Sequence, residues 1–313
     1  MAGKLAIIGA SGKCGGATLN ALLENSLIPA SQIVTLTTSQ PGDEKWTALS
    51  SKGVEVRHAS FEDPASMEKG LQGISRLFLV SSPRIKLDFN EAPHGQGREK
   101  DHFVAIDAAR KSGVKHVYYT SLAFQNPSKS RVMKAHERTE AYLKGLSDID
   151  WTIIREGLYN ESWPLYLGHY KIGADGRSEI VVAGDGPICW TSIPDLGLAS
   201  ALVLAAPAEQ YVGKTFYLSQ TKSPKTLKEI ADMVSAATGK KLTLKVVPRS
   251  EHEEHHIGRG LDEGHIRWWA KSYDAVKDGE CLITDTTLED LLSSKGRTPK
   301  PVEQTIREML GVA

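Results

Sequence analysis

Gly9, Gly12 and Gly15 stand at three-residue steps between the apolar run 5–8 and the amphipathic run 17–23. This order is typical of a strand, a tight turn and a helix. Gly9 permits the turn, Gly12 lets backbone N–H groups approach a pyrophosphate, and Gly15 lets the helix pack closely on the strand. The pattern therefore predicts a dinucleotide site formed by Gly9, Ser11, Gly12, Lys13, Cys14 and Gly15.

The segment after the second predicted strand carries hydroxyl and amide groups, but no carboxylate where an acid would hold the 2′-hydroxyl of NAD. We expect this segment to hold the adenosine end of the cofactor, through Thr37, Thr38, Ser39 and Gln40. The pattern favours NADP(H) over NAD(H). Since an arginine for the 2′-phosphate is also missing, Lys13 or Lys45 would have to assist. The alternative is an ordinary turn rich in hydroxyl groups.

Polar residues also follow the fourth, fifth and sixth predicted strands, whose carboxyl ends should meet at one edge of a sheet. We expect them to frame a nicotinamide: Ser81, Ser82, Pro83, Thr120, Ser121 and Gly157. Near the fifth strand, Tyr118, Tyr119 and Tyr142 have no lysine four residues later, so the usual proton donor of a short-chain dehydrogenase is missing from its place. Without it, hydride transfer favours acceptors that hold negative charge after reduction or begin as cations.

His136 lies near the start of the helix predicted after the fifth strand. A histidine there can supply a proton near neutral pH, and we take His136 as the candidate donor. The alternative is a histidine that only caps or packs the helix. Tyr159 is the second candidate catalytic residue, and we expect Tyr159, Trp163 and Phe124 to wall the substrate pocket.

The segment His252-Glu253-Glu254-His255-His256 fits a zinc-binding H-E-x-x-H helix. Its continuation does not fit a metalloprotease, because Arg259 and Asp262 replace the expected glycine and third histidine. We therefore expect no metal and interpret the segment as a charged surface helix. The neighbouring Trp268-Trp269 pair is expected in the core.

Short β-branched or apolar runs alternate with helical patterns through the first half of the chain. The predicted strands are 5–8, 33–37, 54–58, 76–81, 116–120 and 151–155. One clear helix is 97–112, with Phe103, Ile106 and Ala109 at three-residue steps. In the second half, the runs 180–183 and 188–193 flank Gly184-Asp185-Gly186-Pro187 and predict a hairpin. Helices are expected at 194–206 and 226–238, and strands at 215–218 and 242–247.

This alternation predicts an α/β protein with a Rossmann-type, doubly wound parallel sheet and a smaller α+β C-terminal substrate lobe. We place an NAD(P)-binding domain at 1–156 and the lobe at 157–313, partly interleaved with it. Lysine plus arginine and aspartate plus glutamate number 38 each, which gives no attraction to nucleic acid or a membrane surface. The three cysteines have no metal or redox spacing, and no apolar run could span a bilayer, so we expect a reduced, cytoplasmic protein.

The motifs together resemble the NmrA-like family of atypical short-chain reductases. The resemblance rests on the glycine loop, the strand ending Leu79-Val80-Ser81-Ser82, Tyr119-Thr120-Ser121-Leu122, His136-x-x-Thr139-Glu140, Arg155-x-Gly157-x-Tyr159 and Gly184-Asp185-Gly186. It covers nearly the whole chain and is strongest to the branch of NAD(P)H:quinone oxidoreductase type 2 and triphenylmethane reductase. It implies NADP(H) under a small substrate lobe, with Phe61 near the cofactor. Two departures are Glu156, where that branch usually has asparagine, and Ser60, where an aspartate commonly meets the adenine.

These observations predict an NADPH-dependent reductase that delivers hydride to a planar conjugated or cationic small molecule, such as a quinone, enone, iminium or biosynthetic intermediate. One alternative is a redox sensor that binds NADP(H) without turnover and changes its protein partner. A second is an isomerase or epimerase with tightly held NADP. The sequence leaves the oligomeric state open.

Overall fold

The computed structural model describes residues 3–312. A seven-stranded, all-parallel sheet of order β10-β6-β5-β4-β1-β2-β3 forms its centre. Two small two-stranded parallel sheets, β11-β8 and β7-β9, lie in the second half. The strands are β1 Lys4–Ile8, β2 Ile33–Thr37, β3 Glu55–His58, β4 Ile74–Leu79, β5 His116–Leu122, β6 Asp150–Glu156, β7 Leu158–Tyr159, β8 Glu179–Val182, β9 Trp190–Thr191, β10 Thr215–Leu218 and β11 Thr243–Val246.

Helices connect the strands and build the rest of the chain. They are α1 Lys13–Glu24, α2 Thr47–Ser51, α3 Pro64–Gly70, α4 Glu99–Lys111, α5 Met133–Lys144, α6 Trp163–Tyr166, α7 Ile193–Ala205, α8 Leu227–Thr238, α9 Arg249–Gly258, α10 Glu263–Lys277, α11 Thr287–Ser293 and α12 Val302–Leu310. Within the described residues, no helix is long and apolar enough to cross a membrane.

The sheet is covered on both faces, as the alternation of strands and helices predicts. Because neighbouring side chains in a strand point to opposite faces, Tyr118 packs in the core shared with α1 and α7. Tyr119 packs in the core on the other face, with residues of α4 such as Ala105 and Ile106. The doubly wound Rossmann-type fold is confirmed.

The second half of the chain returns to this sheet. β10 pairs with β6, and α7 packs against α1 on one face. The two helices approach closely at Gly197, where an added Cβ would lie 2.6 Å from the carbonyl carbon of Ala17. The segment from α7 to β10 and the helix α11 therefore lie with the central sheet, while the other elements after β7 form what we call the C-terminal lobe.

The predicted hairpin around 184–187 is wrong. β8 pairs with β11, and β9 pairs with β7, both in parallel. The two glycines serve close packing: an added Cβ would lie 2.7 Å from Tyr273 O at Gly184 and 2.3 Å from Val276 O at Gly186. They let the segment approach α10, and Asp185 between them accepts a 2.7 Å hydrogen bond from the Leu227 N–H at the start of α8.

The C-terminal lobe has an aromatic core. Trp268 and Trp269 are buried in it, as the sequence predicts, together with Trp163, Tyr166, Trp190 and Tyr273. The predicted helix at 226–238 is also confirmed. It begins with a capping box between Thr226 and Glu229 and ends at Gly239, whose φ is 69°.

Candidate functional site

The glycine loop between β1 and α1 is shaped to accept an anion. Gly9 has a φ of +88°, which favours glycine, and an added Cβ at Gly15 would lie 2.3 Å from Gly9 O. α1 begins after Gly12 with no side-chain cap and no acidic residue in its first turn. Its first N–H groups and its positive dipole end are therefore available to a phosphate. Ser11, Gly12 and Lys13 are exposed at this end.

The residues predicted for the adenosine end lie at the carboxyl end of β2. Thr38 and Gln40 are exposed, whereas Ser39 is half-buried and its hydroxyl accepts a 2.8 Å bond from Trp46 Nε1. Ser39 Oγ also lies 2.8 Å from Thr37 Oγ1. These hydrogen bonds fix the turn and engage the hydroxyl groups of Thr37 and Ser39, whereas Thr38 is exposed to solvent. Phe61, after β3, is half-buried.

A buried network fixes the turn after β4. The Ser81 N–H donates to Thr120 Oγ1 at 3.0 Å, and the Ser82 N–H donates to His102 Nε2 at 2.9 Å. His102 Nδ1 lies 2.8 Å from Thr139 Oγ1 of α5. Burial lowers the pKa of His102 well below 6.5, so this ring is neutral. The strand ends predicted to frame the nicotinamide are thus tied to α4 and α5, while Pro83 is exposed beside them.

A buried ion pair supports the same turn. Arg98 Nε donates to Asp88 Oδ2 at 2.7 Å, and its side chain retains 6% of its exposure. The other guanidinium nitrogens donate to the carbonyl oxygens of Ser82 at 3.3 Å and Val132 at 3.1 Å. A buried pair with further hydrogen bonds fixes geometry more than it adds stability. Arg98 therefore positions the segments that carry Ser82 and His136.

His136 is brought to this network but is not free. Its Nδ1 lies 2.9 Å from the buried Tyr119 hydroxyl. Burial, together with the charge of Arg98, lowers the pKa of His136 well below 6.5. The ring is therefore neutral at pH 7, which contradicts the expected donor that titrates near neutral pH. A neutral ring can still orient a ligand through a hydrogen bond.

A second polar group, centred on Glu156, lies at the end of β6. The sequence places Glu156 beside Gly157 near the nicotinamide but assigns it no role. Glu156 is buried. Its carboxyl oxygens accept a 2.8 Å hydrogen bond from Cys14 Sγ and a 3.2 Å hydrogen bond from the Tyr159 hydroxyl. Burial raises the pKa of Glu156 to about 7. Burial, and then the charge of Glu156, raises the pKa of the Cys14 thiol well above 9. Cys14 is therefore a protonated donor in the glycine loop, and Glu156 is the carboxyl that titrates near neutral pH.

Several predicted residues serve packing or structural bonds. At Gly157, an added Cβ would lie 2.2 Å from Thr191 Oγ1, so close packing alone requires glycine there. The Ser121 hydroxyl points to Glu140 of α5, with an oxygen–oxygen distance of 2.7 Å. Trp163 and Phe124 have no exposed surface and belong to the core of the C-terminal lobe, instead of lining an open pocket. Tyr159 is half-buried.

An open cleft of about 430 Å³ lies beside the Arg98–Asp88 pair and the start of α5. Asp88 lines it directly, as does Ala135, the neighbour of His136. Its lining has two acidic residues, Asp88 and Glu91, and five basic ones: Lys129, Arg131, Lys134, Arg138 and Lys271. Four of these cations pair with acids: Lys129 with Asp278, Arg131 with Glu91, Lys134 with Glu137 and Arg138 with Glu99. The cleft is therefore polar, and its excess positive charge comes from Lys271, which has no ion pair among residues 3–312.

The H-E-x-x-H segment lies on α9, but its two outer histidines are not on the surface. His252 and His256 have no exposed surface, and their ring centroids are 4.4 Å apart. His256 Nε2 lies 3.0 Å from Val181 O of β8. The expected surface helix is thus wrong for this face, which packs into the lobe. Among residues 3–312, no group of three or more histidine, cysteine or acidic residues is arranged for a metal.

Comparison with known proteins gives an independent indication of the family to which the chain belongs. Residues 1–267 match the NmrA-like family. The chain is 30% identical over 288 residues to quinone oxidoreductase 2 of Escherichia coli strain K12, covering 92% of this chain and 93% of that one. It is 28% identical over 311 residues to the NmrA-like family domain-containing oxidoreductase flvB of Aspergillus flavus, covering 97% and 94% of the two chains. The Citrobacter sp. triphenylmethane reductase complexed with NADP(H) superposes with a TM-score of 0.78 at 29% identity, covering 98% and 100%.

Proposed function

The chain belongs to the NmrA-like family, and we propose from this premise that it reduces a planar conjugated small molecule with hydride from NADPH. It is an NAD(P)H-dependent oxidoreductase, and its cofactor is NADP(H). The observation that carries the proposal is the uncapped start of α1, with no acidic residue in its first turn, at the sheet edge where the ends of β4, β5 and β6 meet.

The residues present fit the cofactor. Gly12 is exposed at the start of α1 and leaves the approach that a pyrophosphate needs. Gly15, where Gly9 O fills the space of a Cβ, lets α1 pack closely on β1. Exposed Thr38 suits a 2′-phosphate better than a carboxylate would, since it carries no negative charge. When bound, NADPH supplies the hydride.

The chain's own residues bind and orient. Ser82 and Thr120 are fixed by buried hydrogen bonds, so the site is rigid before a ligand arrives. Arg98 joins the Ser82 turn to Val132, which directly precedes α5, and holds the two walls together. A preformed site of this kind supplies rate by orientation.

We assign the acidic group of the acceptor to the basic cleft, and its reacting ring to the sheet edge where β5 and β6 end. Ala135 in its wall neighbours His136, and Asp88 in its wall pairs with Arg98, so the cleft adjoins the network behind the Ser82 turn. Lysine and arginine outnumber acids there, five to two. Opposite charge favours binding in a cleft and like charge disfavours it. A quinone that carries an acidic group therefore suits the cleft better than a triarylmethane cation.

Steady-state NADPH oxidation with three acceptors tests the proposal: a neutral naphthoquinone, its sulfonated analogue and a triphenylmethane cation. We expect turnover with the quinones and the lowest KM for the sulfonated one, with a KM that rises with salt. The variant Lys271→Ala should raise the KM of the sulfonated quinone more than that of the neutral one. Lys228→Ala, at an exposed position of α8, is the matched control. Absence of turnover with all three would contradict the proposed reaction class.

A further inference from the structure

Glu156 is a buried carboxyl without a cation. It retains 2% of its exposure, and its two hydrogen-bond partners in the described residues are Cys14 and Tyr159, both neutral donors. Other buried acids pair with an arginine, as Asp88 does with Arg98 and Glu140 with Arg155. The buried acids without an ion pair among the described residues accept a hydrogen bond from a backbone N–H, which Glu156 does not: they are Asp195, Glu280 and Glu289. An unpaired buried carboxylate is costly. A group of this kind at the carboxyl end of a sheet strand indicates a function for its proton.

We infer that Glu156 holds a proton at the reactive end of the site and passes it through the Tyr159 hydroxyl to the reduced acceptor. This inference rests on the proposed function. The site needs a proton donor, because the tyrosine–lysine pair of a short-chain dehydrogenase is missing from its place after β5 and His136 is neutral. The inference gives this role to Glu156 and Tyr159.

The geometry defines the path. Tyr159 Oη lies 3.2 Å from Glu156 Oε2, while Cys14 Sγ occupies the other oxygen, Oε1, at 2.8 Å. Only Oε2 is therefore directed to a group that can relay a proton. The Tyr159 residue is half-buried, but its hydroxyl is enclosed with Glu156, so a proton that leaves Glu156 Oε2 passes first to the Tyr159 oxygen.

The step is a pair of proton transfers. Hydride addition leaves a negative charge on a heteroatom of the acceptor. A bond forms between that atom and the Tyr159 hydroxyl proton as the Tyr159 O–H bond breaks, and the Glu156 O–H proton moves to the Tyr159 oxygen. The net change is a neutral reduced acceptor, an intact tyrosine and a Glu156 carboxylate, which water then reprotonates. Burial raises the pKa of Tyr159 well above 10, so the two transfers must be coupled.

The titration of Glu156 agrees with this role. Burial raises its pKa to about 7, while the bonds from Cys14 and Tyr159 limit the rise. These are the titratable groups that face it, from α1 and β7. On β5 and β10 the backbone partners of Glu156 are the apolar Leu122 and Leu218. A carboxyl that titrates near the working pH is well matched to proton transfer.

The first experiment needs neither cofactor nor turnover. Infrared difference spectra of the full-length protein, recorded from pH 5 to pH 9, should show a protonated carboxyl that titrates near pH 7 and is lost in Glu156→Gln. Glu289→Gln removes another buried carboxyl, one that accepts from Thr221, and should leave the band in place. A band absent from the parent, or retained in Glu156→Gln, would overturn the inference.

The second experiment uses turnover. The parent kcat/KM should fall above pH 7, as Glu156 loses its proton, whereas Glu156→Gln should be about 10²-fold slower with no inflection near pH 7. Tyr159→Phe should be slowed to a similar extent while keeping the infrared band, and the double variant should be no slower than either single one. A parent that reduces no acceptor contradicts the proposed function alone. A parent that is active, with the same pH profile in Glu156→Gln, overturns the inference alone. Should Glu156→Gln fail to fold, Tyr159→Phe decides through its turnover.

Discussion

The Tyr119 hydroxyl lies 2.9 Å from His136 Nδ1, and both side chains are buried between β5 and α5. This contact occupies one ring nitrogen of His136 and joins it to the interior of the fold. The ring orients its surroundings and does not titrate near neutral pH.

Replacing His136 should therefore change the rate without changing its pH dependence. His136→Ala removes a partner of the buried Tyr119 hydroxyl, which costs about 1–3 kcal/mol of unfolding free energy. We expect turnover to fall about tenfold or more, with an inflection near pH 7 still present. Chemical denaturation and a kcat/KM profile check the two parts. Loss of the inflection would show that His136 is the titrating group.

The Glu156 carboxyl should make stability depend on pH. Its pKa is raised from 4.5 to about 7 in the folded protein. The neutral form is thus favoured by folding, so the contribution is fully present below pH 4.5 and is lost as pH rises through 7. The difference in unfolding free energy between parent and Glu156→Gln should fall by an amount on the order of 3 kcal/mol across this range. Urea denaturation at several pH values measures it, and parallel curves would contradict the raised pKa.

The glycine loop predicts a loss of cofactor binding in Gly12→Val. Gly12 is exposed, and the nearest heavy atom to an added Cβ is Gly9 O at 3.2 Å, so the fold should tolerate the change. The branched side chain would instead fill the pyrophosphate approach. Fluorescence titration with NADPH should show no saturation. Gly176→Val is the control, since an added Cβ there meets nothing within 4 Å. NADPH binding by a folded Gly12→Val like that of the parent would place the cofactor elsewhere.

Cofactor choice should depend on Thr38. In Thr38→Asp, a carboxylate would repel the 2′-phosphate of NADPH and accept from the ribose hydroxyls of NADH. We expect the parent to bind NADPH more tightly and the variant to bind NADH more tightly. Ser50→Asp, an exposed position on α2, controls for added charge. Equal ratios of the two dissociation constants in parent and Thr38→Asp would locate the 2′ pocket at another residue.

The buried histidines of α9 should make the protein sensitive to acid. Burial lowers the pKa of His252 from 6.5 to about 3. Its contribution to stability is therefore present above pH 6.5 and is lost as pH falls toward 3. On moving from pH 7.5 to pH 5, the unfolding free energy of His252→Leu should rise by about 2 kcal/mol relative to that of the parent. His58→Leu, at an exposed position, is the control. Melting temperatures at both pH values, with and without a chelator, test this interpretation against a metal site.

The sequence predicts several strands, helices and turns well, because the residue patterns that specify each one lie within that element. The loop Gly9–Gly15, the helix 226–238 and the strand 215–218 each carry periodicity and end residues that act within one element. The hairpin at 184–187 fails for the opposite reason. Its glycines are required by the backbone of α10, far along the chain, and a turn motif carries no information about that contact.

The site is predicted less completely. On α4, the pattern of Phe103, Ile106 and Ala109 predicts that Phe103 is on the buried face of the helix. In the structure Phe103 is half-buried, and the neighbouring His102 is buried instead. Extending the helical steps from Ile106 back to His102 would have placed that histidine inside. Arg98 had no such signal, because its partner Asp88 lies in an irregular segment. Glu156 was visible as a departure from the family pattern, but its enclosure by Cys14 follows only from the fold.

The return of α7 and β10 to the sheet has a consequence during synthesis on the ribosome. Until Leu218 has emerged, the backbone of β6 has no neighbour on its outer side, and the apolar surface of α1 that α7 covers is open to water. An unpaired parallel edge of this kind can pair with other chains. A fragment of the chain that ends before β10 would therefore leave both this strand edge and the α1 surface uncovered.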